Sequence, residues 1–368
     1  MRSFNTTIFV FLLFLLLNIF YFCIFTVPYM NNYKVEDKWS VASPINTSDH
    51  QVYLEYINKI NNDKKIELNN NNWGISYLYY GISKITGVDT KEIPIIAFVV
   101  SNILIVLCYL IFRSLLCSLG FSSKYSFLFF FNPALIYYSQ LITKEIFSLF
   151  FVLFFTFCIL NKRYLFLLLV LPLSILIRVQ LGIYGIALLL FRGRRNYVVK
   201  FIFLYVLFSL ISALIIKYVH IGVQQNLLGD GPVYLSFILN KQYLIGSLFF
   251  NILKLFQYFF DLLKSLWFFY DGTFMVDFYK VRDIPFALIF SFLLYWIVIG
   301  ISNLKLYKYS KVYDLIFCTY IYILVLFINP LVHSRYLFPI SYLIVLIGFF
   351  FYREFGIQSK NRTDLTSE

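Results

Sequence analysis

About ten apolar runs, each nearly free of charge, dominate this chain and decide what it can become. They lie at 7–29, 93–113, 125–141, 143–160, 164–177, 179–191, 199–219, 284–303, 312–331 and 335–352. A bilayer-spanning helix needs ~20 apolar residues, fewer where it packs against protein. The composition agrees with that reading: 61% hydrophobic, 13% charged, mean hydropathy +0.78. Soluble domains hold roughly 45–50% apolar and about 25% charged residues. The expectation is one all-α polytopic membrane domain over 1–368, with about ten transmembrane helices and additional interfacial helices. The run from Thr7 to Pro28 is long for a signal-peptide core, and no A-x-A cleavage site follows it, so it reads as the first span. The five cysteines lack paired spacing and read as small hydrophobes.

Loop charges give an orientation. With both termini cytoplasmic, the inner loops carry 15 of the 31 basic residues but 4 of the 18 acidic ones. The basic stretches RGRRNYVVK and KLYKYSK then fall inside. Topology therefore accounts for the net charge of +13, and no nucleic-acid partner is needed. The outer face receives a first loop, 30–92, with an amphipathic helix, and a second region, 220–283, with an interfacial helix at 244–270. A short tail, 353–368, stays inside. The inner loops hold no phosphate-cradling glycine loop and no D-x-D. Any chemistry therefore sits outside, with a lipid-linked donor.

Ionisable groups at membrane depth are costly and mark functional sites by default. Lys144 and Glu145 stand between two apolar runs, with Thr143 as the expected N-cap of the helix that follows. Arg178 separates two runs too short to cross comfortably, which predicts a broken or half-crossing helix; Gln180 follows it. A guanidinium forks onto phosphate or pyrophosphate, while an ion pair to Glu145 is the plainer alternative. His333 and Arg335 lie in NPLVHSRYLFPI, a turn bracketed by prolines. In TSDHQVYLEYINKI, residues 47–60, Asp49, Val52, Tyr53 and Tyr56 share one helical face. Asp49 is either an N-cap or a general base for a sugar hydroxyl. Tyr53 and Tyr56 are the candidate aromatic sugar contacts, His50 reads as a surface residue, and Glu55 as solvated. Asp230 reads as part of a GDGP turn. Asp271, Asp277, Lys280, Arg282 and Asp283 read as a solvated loop. No residues gather with metal-ligand spacing, so no cofactor is expected and a divalent metal has no support.

With those residues in place, the chain resembles bacterial polytopic glycosyltransferases of the C superfamily (GT-C), including protein mannosyltransferase-like enzymes. It also resembles O-antigen repeat-unit polymerases in length and span number. The resemblance rests on four segments in order: Asp49 with Tyr53 and Tyr56; NPALIYYSQLITKEIFSLFFVLF; LSILIRVQLG; and HSRYLFPI. It departs from the mannosyltransferase-like pattern in having Ser-Asp-His where a paired acidic motif is usual, and in lacking a soluble C-terminal domain. The resemblance implies a GT-C-like fold in the bacterial inner membrane. It implies a donor carried on undecaprenyl (pyro)phosphate and a glycan acceptor. Asp49 would be catalytic; Lys144, Glu145, Arg178, Gln180, His333 and Arg335 would bind the substrate or its phosphate. Repeat-unit polymerisation at the periplasmic face is the leading expectation. Transfer of a single sugar from a polyprenyl-phosphate donor is the first alternative, and a lipid-linked oligosaccharide flippase the second. A flippase should show paired halves and charges reachable from both faces. The polar groups here gather on one face.

Overall fold

The computed structural model describes residues 2–31, 43–62, 72–193, 196–219, 245–267, 269, 276–303, 310–328 and 334–356. Among them no strand forms beyond one isolated bridge, Phe269 to Val276. The helices are α1 (Arg2–Tyr21), α2 (Val27–Asn31), α3 (Thr47–Asn61), α4 (Trp73–Thr86) and α5 (Ile93–Ser118). Then come α6 (Ala134–Ser139), α7 (Glu145–Leu160), α8 (Tyr164–Ile177), α9 (Val179–Leu190) and α10 (Tyr197–Val219). The chain ends with α11 (Gly246–Leu263), α12 (Phe278–Val281), α13 (Ile284–Asn303), α14 (Ser310–Leu326) and α15 (Phe338–Phe351).

Among the described residues, four continuous helical stretches are long and apolar enough to cross a membrane: Thr7–Asn31, Ile93–Ser118, Tyr197–Ile215 and Ser334–Phe355. Four shorter apolar helices accompany them, at Glu145–Leu160, Tyr164–Ile177, Val179–Leu190 and Ile284–Val298. The outer surface of α1 and α5 is lined by exposed Phe9, Leu12, Leu16, Ile103 and Leu107. So continuous an apolar face belongs against lipid rather than water. The protein is thus an all-α, membrane-associated chain.

The expected span 125–141 is not one helix. It is a 3-10 helix, Ser123–Phe131, then an extended Asn132, then α6. Pro133 causes the break: it lacks an N–H and pushes the residue before it out of the helical region. Asn132 sits at φ −100°, ψ 106°. The segment still packs along α1 and α5 through Phe130, whose ring lies 5.1 Å from Phe14 and 4.9 Å from Tyr109.

A knot of amides ties this corner together. The Asn18 Oδ1 accepts from Gln140 Nε2 at 2.7 Å and from Ser139 Oγ at 2.9 Å. Asn18 Nδ2 donates to Asn102 Oδ1, and Thr26 Oγ1 to Gln140 Oε1. Polar groups buried among apolar helices must find partners, so such contacts fix which helices pack together. The turn 140–144 is thereby anchored against α1 and α5.

The helices α8 and α9 form a tight hairpin joined by one residue, Arg178, held extended at φ −159°, ψ 119°. The break expected at Arg178 is present. A Cβ on Gly182 would meet Ile175 at 2.2 Å, and one on Gly185 would meet Leu171 at 2.5 Å. These glycines let the two arms lie flank to flank. With 14 and 12 residues, the arms are about 21 and 18 Å long. Each is shorter than a ~30 Å hydrocarbon core.

Two further expectations fail. Lys254, on the amphipathic α11, is buried rather than interfacial, and its Nζ donates to the Phe327 carbonyl just past α14. Asp277, Arg282 and Asp283 are buried, not a solvated loop. Arg282 Nε contacts Asp283 Oδ1 at 3.1 Å and stacks over Tyr138 at 4.9 Å. Asp230, Asp271 and His333 lie outside the described residues. All five cysteines are free thiols.

Candidate functional site

The helix α3 begins one residue after Asn46, which occupies the N-cap position. Asp49 therefore sits in the first turn, where the helix dipole favours a negative charge. It is not the cap. Its Oδ2 accepts from Asn46 Nδ2 at 2.9 Å and from Arg335 Nη1 at 2.9 Å. Among the described residues no hydrogen bond falls on Oδ1. The pair is about a quarter exposed, with side-chain exposures of 24% for Asp49 and 22% for Arg335. Burial works against the Asp49 charge, but Arg335, Asn46, Arg178 and Lys144 outweigh it and hold the carboxyl below its ordinary range.

His50 is not a surface residue: it is fully buried. Its Nδ1 accepts the backbone N–H of Ile142 at 3.3 Å, tying α3 to the turn before α7. That acceptor role requires a neutral imidazole. Burial supplies it, pulling the pKa down to about 3.

The turn delivers Lys144. The N-cap of α7 is Lys144 itself rather than Thr143, whose hydroxyl donates to the Tyr138 carbonyl. Lys144 Nζ reaches Asn72 Oδ1 at 2.7 Å and lies 5.7 Å from the centre of the Tyr53 ring. Burial, with Arg178 nearby, lowers its pKa to about 7. Asn72 is brought in by α4, whose Gly74 touches the end of α8. A Cβ there would sit 1.6 Å from the Leu176 carbonyl oxygen. Only glycine permits this approach, which sets Asn72 above Lys144.

Arg178, at the tip of the α8–α9 hairpin, pairs with Glu145 at 3.6 Å and donates to Ser148 Oγ at 3.4 Å. The ion pair anticipated as the plainer reading is thus formed. Glu145 takes the first position of α7, again at a positive dipole end. Arg178 and Arg335 lie over the same ring, Tyr336, at 5.5 and 5.2 Å. Gln180 is half-buried two residues past the tip.

Arg335 is held from behind. Ser334 N–H donates to Asp261 Oδ2 on α11, and Ser334 Oγ to Asp283 Oδ2 at 2.8 Å. Asp261 and Asp283 thus bear on the residue that precedes Arg335.

The structure therefore draws Asp49, Lys144, Glu145, Arg178, Arg335 and Tyr53 into one cluster of three cations and two carboxylates. It separates Tyr56, which is engaged by Lys59 at 5.2 Å. Asn46, Asn72, Ser148 and Tyr336 belong to the cluster and were not anticipated. Tyr336 adjoins Arg335 in sequence, a signal that was available; the two asparagines have none beyond their place at helix starts. Among the described residues no three His, Cys, Asp or Glu side chains gather to hold a metal.

On the other side of α11 lies an apolar groove of about 410 Å³, lined by Phe256, Phe259, Phe260, Phe290, Ile323 and Ile347, among others. Tyr258 on the same helix faces Tyr336, with ring centres 6.5 Å apart. The groove and the charged cluster are thus one helix apart. No family model matches the chain, and no curated protein or solved structure is significantly similar to it.

Proposed function

We propose that the chain is a membrane glycosyltransferase that uses a lipid-linked sugar donor, and within that class a repeat-unit polymerase of surface polysaccharide. The observation that carries this reading is the convergence of Arg178 and Arg335 over Tyr336 and of Lys144 over Tyr53, with Asp49 bonded to Arg335. Three cations against two carboxylates leave the cluster suited to an anion. Two planar guanidinium groups suit phosphate or pyrophosphate oxygens. The apolar groove one helix away suits the hydrocarbon tail of the same donor.

In this reading the acceptor hydroxyl attacks the anomeric carbon and the bond to the lipid phosphate breaks. Asp49 Oδ1 receives the hydroxyl proton, while Oδ2 stays fixed by Asn46 and Arg335. The cations take up the charge developing on the departing phosphate oxygen. Such a transition state is oxocarbenium-like. The hydroxyl proton then leaves late, and a carboxylate of low pKa serves. Tyr53 lies beneath Lys144 and is a wall of the site rather than an open sugar platform. The reading also carries a ten-span, GT-C-like arrangement in a bacterial inner membrane, both termini cytoplasmic, with the cluster on the periplasmic side.

The test uses Arg178. Arg178→Ala alone would strand Glu145, which is 3% exposed, without its partner, and a buried unpaired charge destabilises by ~3–5 kcal/mol. The informative variants are Arg178→Lys and Arg178→Ala with Glu145→Gln. In a producing strain, both should accumulate glycan carrying one repeat and lose longer chains. A full ladder from a stably inserted double variant removes the assignment. Truncation within the first repeat points instead to a single-sugar transferase.

A further inference from the structure

At its far end α5 finishes beside the start of α1. A cavity of about 220 Å³ opens between these helices and the Ser123–Phe131 3-10 helix. Its floor is apolar, with Ile8, Phe11 and Leu110; its rim carries Arg113 and Lys124. Both cations are exposed, and among the described residues neither forms an ion pair. Among the described residues no carboxylate lines the cavity. Arg353 Nη1 donates to the Gly120 carbonyl at 3.1 Å and Lys311 Nζ to the Ser118 carbonyl at 3.1 Å. The carbonyl end of α5 thus has its own cations, and Glu354 is taken by Arg353.

The lipid-facing surface runs directly up to this cavity. Phe9 and Leu12 on α1, with Leu107 and Leu110 on α5, are all exposed. The cavity therefore lies where apolar surface gives way to charge, which is the headgroup level. It is also where α1 needs help: only 11% of the Thr7–Asn31 span window is buried inside the protein. A free phosphate would use the two cations and leave the floor empty. A lipid uses both.

We propose that this cavity binds one anionic phospholipid of the surrounding bilayer. Its phosphate lies between Arg113 and Lys124, and one acyl chain runs along Phe11 in the seam between α1 and α5. Basic pockets between membrane helices recognise acidic headgroups in this way. The site is independent of the glycosyl-transfer reading, since α5, with 26 residues, is about 39 Å long and the Asp49 cluster engages none of these groups.

The test uses the full-length protein in neutral detergent, titrated with phosphatidylglycerol or phosphatidylcholine and followed by native mass spectrometry and thermal unfolding. Phosphatidylglycerol should be retained and should raise the unfolding midpoint; phosphatidylcholine should do neither. Each basic group near a membrane surface contributes ~1 kcal/mol. Arg113→Gln with Lys124→Gln should therefore weaken retention roughly 25-fold. The control pair Lys162→Gln with Arg163→Gln should leave it unchanged. Equal loss in both pairs, or none in either, overturns the proposal. A second measurement does not need that variant to fold. Phe11→Trp fluorescence, read against the wild-type background, should be quenched more by bromine-labelled phosphatidylglycerol than by the labelled choline lipid. Equal quenching overturns the proposal on its own.

Discussion

Removing both partners of the Asp49–Arg335 pair should cost less than the two single losses added together, and a double-mutant cycle measures by how much. At 2.9 Å and an effective dielectric of ~20, the gross attraction is about 6 kcal/mol. Roughly a quarter of each side chain faces solvent, so desolvation and screening reduce the net coupling to about 1–3 kcal/mol. Asp49→Asn preserves shape and the contact to Asn46 but leaves Arg335 facing Tyr336 without its carboxylate. Arg335→Gln leaves Asp49 in the mirror position. The double variant removes both charges and should be less destabilised than the sum of the two by that coupling. Unfolding in mixed detergent–SDS micelles, read by tryptophan fluorescence, gives the three free energies. All three variants should abolish polymer even where stability recovers in the double. Additive destabilisation would show that the pair is not coupled as drawn. Polymer restored in the double would show that the pair is only a strut.

The remaining expectations are local. Lys144 carries its charge in the folded protein only below about pH 7, so donor retention should fall as pH rises through 7. Lys144→Arg, permanently charged, should flatten that limb in a binding titration. Its folded pKa lies below its ordinary value of 10.5, so the unfolded chain binds the extra proton between about pH 7 and 10.5. Stability should therefore rise across that window in wild type and less so in Lys144→Met. Gly74→Ala drives a methyl group to 1.6 Å from the Leu176 oxygen. The helices must part, at ~1–3 kcal/mol by thermal unfolding, and Asn72 should leave Lys144. Ser334→Ala removes the hydroxyl bond to the Asp283 carboxylate, worth about 1.5–3 kcal/mol. It should lower polymer output through a looser Arg335 while the protein still inserts and folds.

Much of the cluster was readable because charge in an apolar run has few excuses. Arg178 between two short runs predicted a broken helix, and one extended residue is what joins α8 to α9. Lys144, Glu145 and Arg335 were visible for the same reason. What stayed hidden depended on tertiary approach. His50 looked like a surface residue because its partner, the Ile142 amide, is 92 residues away. Asn72 gained its place only through the Gly74–Leu176 contact, which no periodicity announces. The buried Asp277, Arg282 and Asp283 looked solvated because a mixed-charge stretch usually is. Here Lys280 pairs with Asp277, while Asp283 is met by Arg282 and Ser334 and Arg282 stacks over Tyr138. The span 125–141 failed for a local reason that could have been given its weight, the proline at 133.

The one-residue joint at Arg178 also has an evolutionary edge. A helix can change length only in whole residues, and each one advances its end by 1.5 Å while rotating it by about 100°. With no slack between α8 and α9, a single-residue deletion anywhere in the lipid-facing part of α8 would swing Arg178 away from Glu145 and Tyr336. Substitutions along the outer face of this hairpin should be tolerated freely, whereas insertions and deletions should be all but absent. The hairpin thus holds its arginine by counting residues rather than by the identity of its membrane-facing side chains.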